Sequence, residues 1–361
     1  MTVSSFGLPS DQGGKDFGVF LPIANGGWIL SSTAPRLDGS YDYNRRVALL
    51  AEEGGFDFIM SMAKWRGYGG ATQHWRQSLD SQILMSALAA LTTRVKVWTT
   101  VHTLLQNPAV TAKMIATLDH VSGGRAGLNV VTGSYKGEFE QMRAWRDQVD
   151  HDQRYDLAEE WVSIIKRLWS EDSVTHQGRY FTMEDCQSDP KPVRRPFLIC
   201  AGTSERGMRF TATQMDAIFA TGRDDAELRQ ISLSAKAMAR DAGHRLRTYT
   251  MMTLVIGETD AEAQAQEDYI RTGFDAEACL GMMRAYGFLD SEMGRENAFV
   301  QSARSAFMTP RVTGSAETVA ARLIELIESC ELDGLMLVFP DYLASMPVFA
   351  TEIMPRIRAR F

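Results

Sequence analysis

The chain has 361 residues, 45% of them hydrophobic and 23% charged, with a formal net charge of −7. That length allows two or three domains, or one α/β barrel that uses all of it. The acidic balance argues against a nucleic-acid protein, no apolar run approaches the ~18–20 residues of a membrane span, and the first residues lack the basic cap and apolar stretch of a signal peptide.

Short apolar runs alternate with helical patterns along the chain. The first run is 17–22 (FGVFLP), closed by Pro22. A helical pattern over 43–53 follows, with Val47, Leu50 and Ala51 on one face, and Gly54-Gly55 ends it. Residues 56–62 read as the second strand, 77–91 as a Leu- and Ala-rich helix, 95–101 as the third strand, 109–121 as a helix and 126–132 as the fourth strand. Over 153–168 one helical stripe carries Leu157, Trp161, Ile164, Ile165 and Leu168. Residues 174–183 read as a β-hairpin turning at Gln177-Gly178. Strands five to eight fall at 197–201, 217–220, 248–256 and 334–339. The last is preceded by a helix over 316–329 and followed by one from Tyr342.

Eight strands, nearly all separated by helices, predict an α/β fold of the (β/α)8 TIM-barrel type. A doubly wound sheet is the rival, but no GxGxxG follows a strand. The surplus over 260–311 is expected to be an insertion of helices and loops over the C-terminal face, within a single domain spanning 1–361. Cys186, Cys200, Cys279 and Cys330 are far apart and form no CxxC pair, which predicts reduced thiols and a cytoplasmic location. The six histidines show no HExxH or paired spacing, so no metal site is predicted and a metal-dependent hydrolase loses ground.

Barrel active sites form at the C-terminal ends of the strands. That rule selects Ser61 to Lys64 after strand two, Thr99, Thr100 and His102 on strand three, and Asn129, Thr132, Gly133, Tyr135 and Glu138 after strand four. After strand five it selects Gly202, Thr203 and Ser204. The set is polar and has few titratable groups. It suits holding a cofactor better than acid/base catalysis by paired carboxylates. Ala201 to Ser204 leads from a strand into a helix, where free N–H groups can bind an anion, although Ser204 alone reads better as an N-cap. Arg154 and Tyr155 read as a helix-start charge and a packing ring. Lys64 is either an anion or substrate ligand or a surface charge on Trp65, and His102 is either a base or a structural residue.

In this order the residues resemble the bacterial luciferase-like family of flavin-dependent monooxygenases. The segment that carries the resemblance is TLDHVSGGRAGLNVVTG, with Thr117, Asp119, Ser122, Gly123, Gly124, Arg125, Asn129, Val131 and Gly133 on the family pattern. Gly137-Glu138-Phe139 and Arg154-Tyr155 extend it. Within the family the segments FLPIANGGW from Phe20, SMAK from Ser61, RGYGG from Arg66 and FTMEDC from Phe181 are most similar to the monooxygenases that open a pyrimidine ring.

The resemblance implies reduced FMN, delivered by a separate NAD(P)H-dependent flavin reductase, with O2 as co-substrate. It implies that Ala63, Lys64, Asn129, Glu138, Arg154, Tyr155 and Ser204 hold the flavin, and that Thr100 and Asn129 place oxygen. It implies a substrate face at Lys64, Ser134, Glu138 and Phe219. The catalytic set is therefore Thr100, Asn129 and Lys64. A homodimer or homotetramer is expected, with no nucleic-acid or membrane partner. One departure matters: the relatives carry tryptophan where this chain has Ser134. Unless Tyr135 turns in, the pocket is larger, because an aromatic ring buries about 150–250 Å². A riboflavin-degrading lyase acting on a fused heterocycle is then the alternative to uracil opening. A non-catalytic flavin-binding relative is a further one.

Overall fold

The computed structural model describes residues 6–133, 135–286 and 303–361. Eight parallel strands close into a barrel in the order β1 (Asp16–Phe20), β2 (Phe58–Met60), β3 (Lys96–His102), β4 (Ala126–Val131), β7 (Phe197–Cys200), β8 (Ala217–Ala220), β9 (Arg247–Ile256) and β11 (Gly334–Val338), with β11 returning to β1. The predicted (β/α)8 barrel is the observed one. Helices α1 (Tyr41–Glu53), α2 (Ser81–Leu91), α3 (Pro108–Ser122), α5 (His151–Leu168), α6 (Glu205–Gln214), α7 (Asp225–Asp241) and α10 (Ala316–Ser329) lie between the strands in sequence. A short α4 (Lys136–Glu140) precedes α5.

Two details differ from the sequence expectation. The hairpin of β5 (Val174–Gln177) and β6 (Thr182–Cys186) turns over the four residues 178–181, which include the expected Gly178 but leave Gln177 paired in β5. Glu160 of α5 holds that turn by accepting from the amides of Tyr180 and Phe181 at 3.0 and 2.8 Å. A further strand, β10 (Arg311–Gly314), pairs with the C-terminal half of β9. Between them the described part of 260–311 carries α8 (Asp260–Thr272) and α9 (Ala276–Ala285).

The barrel is filled, not hollow, through its lower half. Phe58, Trp98 and Phe197 stack across it, with ring centroids 3.8 and 5.0 Å apart, and Tyr249 packs against Trp98 at 6.1 Å. Room for these rings comes from glycine on neighbouring strands. A Cβ at Gly18 would stand 2.0 Å from the Phe58 ring, and one at Gly127 would stand 2.2 Å from Trp98. The floor is therefore solid and the usable space lies at the top.

The SGGR segment is explained by this architecture. Gly123 and Gly124 take φ of 66° and 85° and end α3, a conformation that costs glycine little. Arg125 then turns inward. Its guanidinium donates to the carbonyls of Ala89, Thr92 and Val95 at 2.9, 2.8 and 2.6 Å. It caps the negative end of α2 and ties it to the start of β3. Asp119 accepts from the Arg194 amide at 2.9 Å and so joins α3 to the segment before β7. These residues build the barrel at the end opposite to the site.

Candidate active site

A cavity of about 750 Å³ opens at the C-terminal ends of the strands. Its wall takes Phe20 from β1, Met60 from β2, Asn129 and Val131 from β4, Phe219 from β8, Met251 from β9 and Met336 from β11. These positions follow from the period of two along a strand, which points alternate residues into the barrel. Trp28, stacked on Phe20 at 4.4 Å, adds a second aromatic surface. Another hollow of about 840 Å³ lies beside the end of β9, between Tyr269 and Glu352, and holds none of the expected site residues.

Thr100 and Asn129 face each other across the β3–β4 register. The Asn129 Nδ2 donates to the Thr100 hydroxyl at 3.1 Å, and that hydroxyl donates onward to the Ser61 carbonyl at 2.6 Å. The chain of donors fixes the amide, so Oδ1 is the end left over. It is buried and has no hydrogen-bond partner among the described residues.

Lys64 and Glu138 are also brought together. The Lys64 ammonium meets Glu138 Oε2 at 3.2 Å, with both side chains buried. Glu138 Oε1 accepts from the Trp65 and Arg66 amides at 2.6 and 3.2 Å. Around the ammonium stand four rings: Tyr135 at 4.2 Å, Tyr68 at 5.0 Å, and Trp75 and Tyr286 each at 5.7 Å to the centroid. Burial lowers the Lys64 pKa from 10.5 to about 8, against the opposing pull of Glu138. Neither Lys64 nor Glu138 is on the wall of the 750 Å³ cavity. Ser134 lies outside the described residues. Tyr135 does turn in, since it is buried and supplies the nearest ring to Lys64.

The third cluster lies beyond β7. Ser204 caps α6 by accepting from the Gly207 amide at 3.1 Å. Tyr155 packs onto this turn: a Cβ on Gly202 or Gly207 would stand 2.5 or 2.6 Å from its hydroxyl oxygen. Burial raises the Tyr155 pKa, against the pull of the Ser204 and Thr132 hydroxyls. Arg154 stacks on Trp145 at 5.1 Å and makes no ion pair among the described residues. Arg206 nearby is engaged by Asp156 and Glu159 at 2.8 and 3.1 Å. Of the two arginines, Arg154 is the one without an ion pair among the described residues.

His102 is resolved by its surroundings. It stands between the edges of Trp65 and Phe139, and its Nε2 pairs with the Ala63 carbonyl at 3.3 Å. Burial lowers its pKa to about 4, so it is neutral near pH 7 and positions the Ala63 backbone.

A luciferase-like monooxygenase family model matches residues 16–330. The chain belongs to that family. It is 38% identical over 354 residues to pyrimidine monooxygenase RutA of Methylorubrum extorquens (strain PA1), covering 96% of this chain and 94% of that one. It is 36% identical to the protein of the same name from Acinetobacter baylyi, over 95% of each. Among solved structures, riboflavin lyase (RcaE) superposes with a TM-score of 0.87 at 23% identity, covering 96% and 92%. The long-chain alkane monooxygenase LadA gives 0.82 at 21%, with the same coverage. These two likenesses bear on the fold.

In this luciferase-like chain, sequence reasoning missed Trp28, Tyr286 and Met308 on the cavity wall. Trp28 follows β1 in a loop without periodicity. Tyr286 and Met308 come from the long segment between β9 and β11, where no strand-end rule applies. Met60, Met251 and Met336 were findable, because each is at an inward position near a strand end. No helix of the described residues is long and apolar enough to cross a membrane.

Proposed function

We propose that the chain is a two-component monooxygenase that uses reduced FMN and O2 to open a pyrimidinedione ring of the uracil type. The observation that carries the reading is the buried Lys64–Glu138 pair in its ring cage, set beside a cavity whose wall takes Asn129 and, next to the Ser204 cap of α6, Ala201 and Thr203. The relatives at 36–38% identity, named for action on pyrimidines, support the substrate class.

The residues fit FMN. Ser204, the N-terminus of α6 and Arg154 form an anion grip, with Tyr155 seated against bare glycine backbone. The unpartnered Asn129 Oδ1 offers an acceptor for a ring N–H. When bound, reduced flavin supplies the two electrons that activate O2.

The protein's own residues then have separable tasks. Asn129, held by Thr100, fixes the orientation of what lies above β3 and β4. Lys64 polarises a substrate carbonyl, an electrostatic role that a low-dielectric cage strengthens. Glu138 keeps the ammonium charged and in place. Phe20, Trp28, Phe219 and the methionines exclude water from the reacting ring. The described part of 260–311, which puts Tyr286, Met308 and Thr309 on the cavity wall, is assigned its cover within a single domain; residues 287–302 of that insertion lie outside the described residues. The chain has no nicotinamide fingerprint, so a separate NAD(P)H-dependent reductase delivers the flavin.

The test is a reaction with a flavin reductase, NADH, FMN and heavy-isotope O2, offered uracil and riboflavin in parallel. A ring-opened uracil carrying one heavy oxygen, formed only with the reductase, is the expected product. Turnover of riboflavin alone replaces the substrate with the fused heterocycle. Tight FMN binding with no labelled product from either leaves a flavin-binding protein and ends the enzyme reading.

A further inference from the structure

A line of tryptophan and tyrosine rings runs from the cavity to an outer surface. Trp28 is on the wall of the 750 Å³ cavity. Its ring meets Trp75 edge-on with centroids 5.0 Å apart, and Trp75 meets Tyr68 at 5.1 Å. Tyr68 packs 6.0 Å from Tyr135, and both line an outer cleft of about 680 Å³. Each separation is within the contact range of aromatic pairs, about 4.5–7 Å. Trp75 lines neither space and is buried. It is therefore the inner link between a ring of the cavity and a ring of the cleft.

The link is held in a strained conformation. Trp75 takes a φ of 57°, in the left-handed region that a bulky side chain rarely adopts. Its indole Nε1 donates to the Gly27 carbonyl at 2.5 Å. A carbonyl accepts that hydrogen bond but takes no proton, so an electron vacancy on this indole keeps its charge and passes on. Tyr68 differs, because a phenol loses its proton with the electron and is then oxidised more easily than indole. Its proton leaves along the hydrogen bond to the Tyr286 hydroxyl, which lines the same cleft. The Lys64 ammonium, 5.0 Å from the Tyr68 ring, is balanced by Glu138 at 3.2 Å, so no unpaired cation opposes a vacancy there. The favoured direction is from tryptophan to tyrosine, and so from cavity to cleft.

We propose that Trp28, Trp75 and Tyr68 are a protective exit for one-electron oxidising equivalents, which leave the cavity through Trp75 and reach the outer cleft. The oxidant is an oxygen-centred radical. Hydrogen peroxide that takes one electron from a ferrous ion or a reduced flavin gives hydroxide and a hydroxyl radical. That radical takes one electron from Trp28 and becomes hydroxide. Trp75 refills Trp28, and Tyr68 refills Trp75. The phenol proton released by Tyr68 joins the hydroxide as water. At the cleft, a hydrogen donor of the thiol or ascorbate class returns one hydrogen atom to Tyr68 and carries the radical away. The need for an exit rests on the monooxygenase reading, since O2 activation that fails to couple releases peroxide; the line of rings does not.

The experiment needs neither flavin nor turnover. The full chain is exposed near neutral pH to azide radicals made by radiolysis, a small one-electron oxidant that prefers indole. Oxidation at Trp28, Tyr68 and Tyr135 is read by peptide mass spectrometry in one sample. In the wild type, Trp28 is expected to stay largely unmodified while oxidation collects at Tyr68 and Tyr135. Trp75→Phe keeps a ring but interrupts the line. It is expected to raise Trp28 oxidation at least threefold and to lower tyrosine oxidation at least twofold. Tyr68→Phe is expected to raise oxidation at Trp28 and Trp75 and to lower it at Tyr135. Loosened packing alone would move Trp28 and the tyrosines in the same direction, so the opposite signs separate a relay from a structural role. Unchanged Trp28 in the folded variants, or a joint rise at Trp28 and the tyrosines, overturns the exit. So does a wild type in which Trp28 is heavily modified beside intact Tyr68. If Trp75→Phe does not fold, Tyr68→Phe and the wild-type pattern decide. Failure of the oxygenation test with this redistribution intact would remove the activity and leave the exit standing.

Discussion

Burial sets the charge state of Lys64. The cage strips water from the ammonium and lowers its pKa to about 8, while Glu138 holds it from falling further. Carbonyl polarisation needs the charged form, so kcat/KM is expected to fall as pH rises through about 8. Glu138→Gln removes the opposing carboxylate, and the alkaline limb of the pH profile is expected to move to lower pH; an unmoved limb would detach it from Lys64. The stability sign is opposite. Between about pH 8 and 10.5 the unfolded chain keeps a lysine proton that the folded chain has released, so this group makes stability rise with pH across that window. Thr100 makes a different residue-scale case. Its hydroxyl proton is committed to the Ser61 carbonyl, and its lone pair holds the Asn129 amide. Thr100→Val leaves a buried N–H group unpaired, at a cost of about 1–3 kcal/mol. Thr100→Ser is expected to keep wild-type stability within about 1 kcal/mol by urea unfolding. Loss of the FMN affinity in Thr100→Val with its retention in Thr100→Ser identifies the hydroxyl as a positioning group.

At the scale of elements, period and punctuation carried most of the information. Strands of the barrel are buried on both faces, so they stand out as short apolar runs between amphipathic helices. Asp80, Asn107 and Ser204 cap α2, α3 and α6 as their residue types allow. β10 escaped because RVTG has only one large apolar residue, and its pairing with β9 is a tertiary fact. Of the cavity wall, Asn129 was legible from a strand end and Phe219 only from the family resemblance. The wall was illegible at Tyr286, whose place depends on how a long connection folds back. The luciferase-like motif around Arg125 marked the family through barrel construction rather than chemistry. Close approach of α6 to α5 is a further element-scale constraint. A Cβ at Gly207 would stand 2.6 Å from the Tyr155 hydroxyl and 3.0 Å from Ser204 Oγ. Gly207→Ala is expected to cost about 1–3 kcal/mol as overpacking and to weaken FMN binding. Adding Tyr155→Phe removes the clashing oxygen and should recover part of the stability in a double-mutant comparison. No recovery would place the strain elsewhere.

For the whole molecule, the outer surface of the barrel carries an imbalance that the core does not explain. On α3, Val110, Met114 and Val121 are 58%, 38% and 46% exposed, and their i, i+4, i+11 spacing puts them on one side of the helix. Ile83 on the neighbouring α2 is 73% exposed and Leu91 is 45% exposed. Single exposed apolar residues are ordinary, but a stripe on two adjacent helices is a surface that association would cover. The expected state is a homodimer through α2 and α3, or a homotetramer that contains that dimer. Stable pairs bury about 1,200–2,000 Å² in total, which two such helices and their neighbours can supply. The net charge of −7 opposes nonspecific association, so the expected contact is assigned to this local apolar stripe. Light scattering at micromolar concentration is expected to give a mass of two or four chains. Val110→Asp with Met114→Glu places carboxylates in the centre of the stripe and should yield a folded monomer with the wild-type circular dichroism spectrum. A wild-type chain that scatters as a monomer, or a double variant that keeps the oligomer, would move the contact away from these helices.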